Sequence, residues 1–240
     1  MEKKKAKVGG ALVCLVIDKS GSMEPIRKAT IAGCNQFIAE TRDADPEARI
    51  SLVLFDTQVH KTFTAKPIAD IEPIDGTMYH PGGGTALLDA MGKAMTDIEA
   101  MPDKPSKVVI AVITDGQENS SSEFTRAAVK AAVARHETED KWQILYLGAN
   151  VDSFAEAGAI GMARNASSVN WQQSAAGTQA LYMSTSGSTG SFLRGHTATV
   201  DVSQDTYNTT LASIQNNAGT APTPPITGTP HVRSRGTTKP

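Results

Sequence analysis

The sequence predicts an α/β protein: a mostly parallel central sheet with helices on both faces. Two observations carry the prediction. Apolar runs of strand length alternate along the chain with segments of helical periodicity, the pattern of strand–helix–strand units. Most of those runs are apolar throughout rather than alternating, as strands covered on both faces must be. No internal repeat period interrupts this alternation.

The elements follow in order. Residues 11–17 are a continuous apolar run and read as a buried strand. A helix over 24–41 comes next, with Pro25 in its first turn and Ile26, Ala29, Gly33, Phe37 and Ile38 along one face. Residues 50–55 form a second strand. Residues 58–64 alternate, with Val59 and Phe63 among polar neighbours, which predicts a more exposed or edge strand. A helix over 86–100 buries Leu87, Leu88, Met91, Met95 and Ile98. A strand over 107–113, an Ala-rich helix over 122–136 and a strand over 142–147 continue the alternation. A short helix over 153–157, a strand over 167–171 and a helix over 175–183 complete the domain, set at 8–184.

From Ser184 the composition changes to Thr, Ser, Gly and Pro, as in Ala221-Pro222-Thr223-Pro224-Pro225. Such a segment lacks the apolar surface needed to offset the entropy of ordering it, so residues 185–240 are expected to be a largely disordered tail. Within it, 197–202 alternates enough for a strand and 207–214 suits a short helical turn, each given a surface to pack on.

Composition narrows the functional classes. The 240 residues are 40% hydrophobic and 20% charged, and a chain of this length buries about 70% of its unfolded surface without staples. The net charge of −2 argues against nucleic acid or an anionic membrane as the main partner. Its longest apolar run is far short of the roughly 20 residues of a membrane span. The basic start, 1–7, is followed by no small-residue cleavage site. Two cysteines, Cys14 and Cys34, make no disulfide framework and read as small buried hydrophobes. A cytoplasmic, reducing-compartment protein is expected.

In α/β sheets ligands collect beyond the carboxyl ends of the strands. Three segments there share one chemistry. Asp18-Lys19-Ser20-Gly21-Ser22 follows the first strand, Gly82-Gly83-Gly84-Thr85 precedes a helix, and Thr114-Asp115-Gly116 follows the 107–113 strand. Together they offer two carboxylates and three hydroxyls with no His or thiolate, the preference of a hard divalent cation, Mg2+ or Mn2+, rather than zinc. Each alone has a plainer reading: a helix cap for Asp18 or Ser22, a flexible loop capped by Thr85, an ordinary turn at Asp115. Glu24 reads as a helix first-turn acid and Asp56 as a strand-end turn. His60, His80, His136, His196 and His231 lack metal-ligand spacing; His80, with Tyr79, lies near the glycine loop. Gly92-Lys93 is not a phosphate loop, and Lys19-Ser20-Gly21-Ser22 is not a nucleophile elbow.

Asp18-x-Ser20-x-Ser22, then Thr85, then Asp115 in Thr-Asp-Gly, resembles the metal-ion-dependent adhesion site of von Willebrand factor A domains. The resemblance is to the stand-alone intracellular members of bacterial or phage type. It implies a Rossmann-like sheet flanked by helices, with one Mg2+ at its upper edge, Ser20, Ser22 and Thr85 supplying hydroxyls and Asp18 and Asp115 binding directly or through water. It also implies an open coordination position completed by an acidic side chain, Asp or Glu, of a protein partner. The expected function is therefore a metal-dependent protein-binding module, not an enzyme. Two alternatives stand beside it: a metal-dependent hydrolase or phosphotransfer enzyme using the same ion, and a structural particle component docked by its tail. No His, Lys or third acid is placed in the sequence as a base, which weighs against the first.

Overall fold

The structure is a computed structural model that describes residues 10–103, 105–149, 153–162 and 168–218. Six strands form one sheet in the order β3-β2-β1-β4-β5-β6. These are β1 (Leu12–Asp18), β2 (Arg49–Phe55), β3 (Val59–Pro67), β4 (Val108–Thr114), β5 (Gln143–Ala149) and β6 (Ser168–Trp171). All neighbours pair parallel except β3, which returns antiparallel along β2 as a half-exposed edge.

Continuous apolar strands are explained by two cores. Along β1, Val13, Leu15 and Ile17 face one layer while Leu12, Cys14 and Val16 face the other. In β4, Val109, Ala111 and Ile113 join the first layer and Val108, Ile110 and Val112 the second. The register pairs Val13 with Val109 and Ile17 with Ile113, so both central strands end level. Helices α1 (Arg27–Ala44), α5 (Ala175–Leu193) and α6 (Gln204–Ala218) cover the first face. Helices α2 (Leu87–Glu99), α3 (Arg126–Arg135) and α4 (Ser153–Ala159) belong to the second. Cys14 and Cys34 lie in opposite cores and are free thiols, their pKa values pushed up to about 12 by burial.

Three expectations are corrected. The boundary at 184 falls inside α5, which continues to Leu193 with Thr185, Ser186, Thr189, Gly190, Phe192 and Leu193 buried. Its Ser and Thr content is compatible with burial because the hydroxyls bond back into the helix, Ser184 and Thr185 both donating to the Leu181 carbonyl. Small residues also let α5 approach α1 closely: a Cβ at Gly33 would stand 2.2 Å from the Tyr182 ring. Residues 197–202 form no strand; Val200 and Val202 nevertheless enter the core, and the Val200 N–H donates to Gln143 (3.0 Å). The turn expected at 207–214 is the longer helix α6, with Tyr207, Leu211 and Ile214 packed on the first core. The rest of the predicted tail, 219–240, lies outside the described residues.

The helix expected over 122–136 begins later, at Arg126, and ends in a π-helical turn, His136–Asp140. Among the described residues no helix is long and apolar enough to cross a membrane.

Candidate functional site

The carboxyl ends of β1 and β4 lie side by side, and the site is assembled from the loops that leave them. Asp18 closes β1 and is fully buried. One carboxylate oxygen accepts the Ser20 N–H (2.6 Å), a tight turn that sends the chain into the 3-10 segment Gly21–Ile26. The other accepts the hydroxyl of Thr114, the last residue of β4 (2.6 Å). From below, the buried Tyr79 donates to the Asp18 carbonyl (2.7 Å).

A chain of oxygens runs outward from this turn. Ser20 Oγ and Ser22 Oγ lie 3.1 Å apart, and Ser22 Oγ donates to Asp115 Oδ1 (2.7 Å). Four of the five residues predicted to hold the metal are thus joined directly by the Asp18 turn and these contacts. Thr85 comes from the glycine loop, which sits on the Asp18 turn through Gly82 N–H to Lys19 O (2.7 Å) and Gly21 N–H to Gly83 O (3.2 Å). Gly83 has φ of 73°, a left-handed conformation that glycine adopts without strain. Gly116 brings the third loop close: a Cβ there would stand 3.0 Å from Thr85 Oγ1 and 3.7 Å from Asp18 Oδ2. The five predicted residues therefore converge on one edge.

Several residues that hold this arrangement carried no sequence signal. Asn119 accepts the Thr85 N–H (2.9 Å), and the N–H groups of Asn119 and Ser120 return bonds to the Thr85 carbonyl. Glu118 takes the Leu88 N–H (2.9 Å) in the first turn of α2, a helix whose N-cap, Ala86, has no side chain able to do so. Thr85 is thus one residue before the cap rather than the cap itself. Gln173, between β6 and α5, donates its amide to Asp115 Oδ2 and to the Ser22 carbonyl (2.7 Å). Only an Asn shortly after Thr-Asp-Gly, able to reach a neighbouring loop, was there to be noticed.

The electrostatics are those of an under-compensated acid pair. Burial pushes the Asp18 pKa up to about 6, Asp115's charge adds to the rise, and the Thr114 and Ser20 hydrogen bonds oppose it. Burial likewise raises Asp115, against the Ser22 hydrogen bond. The basic groups nearest in sequence are engaged elsewhere. Lys19 turns to Asp56, which His60 also approaches (3.2 Å), and His80 contacts Arg27 (3.1 Å). Asp56 forms the strand-end turn expected of it, accepting the Gln58 N–H (2.8 Å), and Glu24 lies in the 3-10 turn. Among the described residues no three His, Cys, Asp or Glu side chains gather as a metal cluster; the set here is two carboxylates with hydroxyls. That donor chemistry, with neither buried acid ion-paired among the described residues, fits a hard divalent ion.

Comparison with known proteins agrees with the fold. Residues 13–117 match the family model of the von Willebrand factor type A domain. Over 132 residues the chain is 27% identical to calcium-activated chloride channel regulator 3A-1 of Mus musculus, covering 52% of this chain. It spans only 14% of that relative's length. Among solved structures, a von Willebrand factor type A protein from Catenulispora acidiphila aligns with a TM-score of 0.52 at 16% identity, over 75% of this chain and 43% of the other. The PilB minor pilin from Streptococcus sanguinis aligns with a TM-score of 0.56 at 11% identity, over 77% and 62% respectively. At these identities the structural likeness concerns the fold alone. The family model spans β1 through the Thr114-Asp115-Gly116 loop, the part of the chain that carries all five predicted residues.

Proposed function

We propose that this chain is a divalent-cation-dependent protein-binding module of the intracellular, bacterial or phage type, working in the cytoplasm. Asp18, Ser20, Ser22, Thr85 and Asp115 would hold Mg2+ or Mn2+, and a partner protein would bring an Asp or Glu side chain to it. The observation that carries the reading is the convergence of three loops, β1–α1, Gly82–Thr85 and β4–α3, on one buried acid pair flanked by hydroxyls.

When bound, the ion supplies an electropositive centre able to take a further carboxylate oxygen. The chain's own residues set its strength. Two carboxylates roughly neutralise a divalent charge, whereas the hydroxyls add oxygens without adding charge, so attraction for an incoming acid is retained. Asp56, close in sequence to these loops, is paired with Lys19 and approached by His60. The module carries no chemistry of its own in this reading: Lys19, His60 and His80 are tied to other groups, and none is offered to a bound water as a base.

Calorimetric titration with Mg2+ and Mn2+ tests the cation. Wild type should bind one ion and Asp115→Ala should lose most of that affinity; no heat at millimolar metal rejects the proposal. Capture of an acidic partner that persists in EDTA and in Thr85→Ala would move the interface elsewhere. Metal-dependent turnover of a phosphoester, peptide or nucleotide that Asp18→Ala abolishes would make the chain an enzyme.

A further inference from the structure

We propose that Gln173 is a cation-selectivity residue: by holding the outer oxygen of Asp115 against the Ser22 main chain, it keeps that carboxylate a one-oxygen ligand, suited to Mg2+ and not to Ca2+. The inference rests on the cation reading above and names the residue that tunes it.

Each Asp115 oxygen takes a side-chain donor, and the residue's own main-chain N–H also bonds the carboxylate. Oδ1 takes the Ser22 hydroxyl (2.7 Å), and Oδ2 takes the Gln173 amide. The same amide nitrogen also donates to the Ser22 carbonyl (2.7 Å), so its two hydrogens join the third ligand loop to the first. With two acceptors before it, the carboxamide must present its NH2 end, which follows from the acceptors rather than from any assigned orientation. An N–H bond on Oδ2 places positive charge where a second metal–oxygen contact would form. It also stops the carboxylate from swinging to offer both oxygens.

Gln173 is well built for this. It is half-buried, one residue before Ser174, which caps α5 by accepting the Gly177 N–H (3.0 Å), and two beyond Trp171, whose indole N–H donates to the Leu147 carbonyl (3.0 Å). Its backbone is therefore anchored on both sides. Mg2+ demands near-ideal octahedral geometry with single-oxygen carboxylates, whereas Ca2+ takes more ligands and readily accepts a carboxylate through both oxygens. Hydrogen-bond partners of metal-binding residues are worth about 10–100-fold in affinity. Loss of the amide should therefore cost Mg2+ affinity while freeing Asp115 to serve the larger ion.

The test is calorimetry of the full chain with Mg2+ and, separately, Ca2+, on wild type, Gln173→Ala, Gln173→Leu and the neighbouring control Gln172→Ala, with thermal melts to confirm folding. Wild type should prefer Mg2+. Both Gln173 variants should bind Mg2+ about 10-fold more weakly, with Ca2+ affinity unchanged or higher, so that the Mg2+/Ca2+ ratio falls about 10-fold. Gln172→Ala, whose side chain is exposed, should keep the wild-type ratio. A purely structural role for Gln173 would weaken both ions together; an unchanged ratio therefore overturns the inference while leaving the cation site standing. Absence of divalent binding by wild type itself overturns the cation reading, and this inference with it.

Discussion

Asp18 and Asp89 are both buried acids near the same edge of the sheet, yet their surroundings differ in kind. Asp89, in the first turn of α2, accepts three main-chain N–H groups, from Ser122 (2.9 Å), Glu123 (2.9 Å) and Phe124 (2.8 Å). Burial pushes its pKa up, but those donors and nearby Lys93 hold it below the usual carboxylate range. Asp18 accepts one main-chain N–H and the hydroxyls of Thr114 and Ser20, faces Asp115, and is raised. Burial alone does not make an acid functional. The kind of donor and the sign of the neighbouring charge, three main-chain N–H groups beside Lys93 against mainly hydroxyls beside a second acid, separate a carboxylate held below its ordinary pKa from one raised above it.

That contrast yields a graded set of expectations. The largest is at Asp89: Asp89→Ala strands three N–H donors and should cost about 3 kcal/mol in denaturant unfolding, with no specific loss of Mg2+ affinity beyond that of the weakened loop. Asp18→Asn should do the reverse. It removes a buried charge, so the metal-free protein should gain about 2 kcal/mol while any stabilisation by added Mg2+ disappears. Thermal melts in EDTA and in Mg2+ read both effects. If Asp18→Asn destabilises the metal-free protein, then the acid pair is structural and the contrast fails.

The same comparison has a pH signature. In metal-free protein the folded state keeps the Asp18 proton up to about pH 6, whereas the unfolded chain releases it near 3.8. The folded state therefore binds more protons in that interval, and Asp18's contribution to stability falls as pH rises from 3.8 to about 6, then levels. Asp89, its pKa lowered, contributes in the opposite sense: its stabilisation is present above the ordinary carboxylate pKa and is lost on acidification. Urea midpoints of Asp18→Asn and wild type in EDTA should therefore converge towards low pH. A smaller effect is expected at Gly116→Ala, whose new Cβ, 3.0 Å from Thr85 Oγ1, should weaken Mg2+ by about tenfold, or 1.4 kcal/mol. The smallest concerns the partly exposed Lys93–Glu123 pair (2.6 Å); Glu123→Ala should change stability by less than about 0.5 kcal/mol.

The sequence was most legible where burial is two-sided. The limits of β1, β4 and β5 agree with the apolar runs to within a residue or two, because a strand covered on both faces has little choice of residue type. The three loops singled out in the sequence do meet at one edge, for a related reason: β1 and β4 are neighbouring parallel strands, so the segments that leave their carboxyl ends emerge side by side. Legibility failed where polar atoms do the packing. α5 hides its Ser and Thr hydroxyls in its own backbone, so its half beyond 184 reads as tail although the half before it reads as helix. The 122–124 segment stays out of α3 because Asp89, more than thirty positions away, takes its N–H groups, and no local propensity records such a partner. Gln173 meets Asp115 across 58 positions of sequence, and an amide at a loop has no periodicity to betray it.

The level ending of β1 and β4 has a consequence for how the molecule can change. Strands in a ladder sit about 4.8 Å apart because their peptide groups bond, whatever side chains they carry. The two acid-bearing loops leave adjacent rungs of that ladder, so their separation is set by the main chain. Repacking of either core, methyl group by methyl group, should wear away stability well before it alters the spacing at the rim. The loops, in turn, are free to diversify above a gauge that does not depend on them.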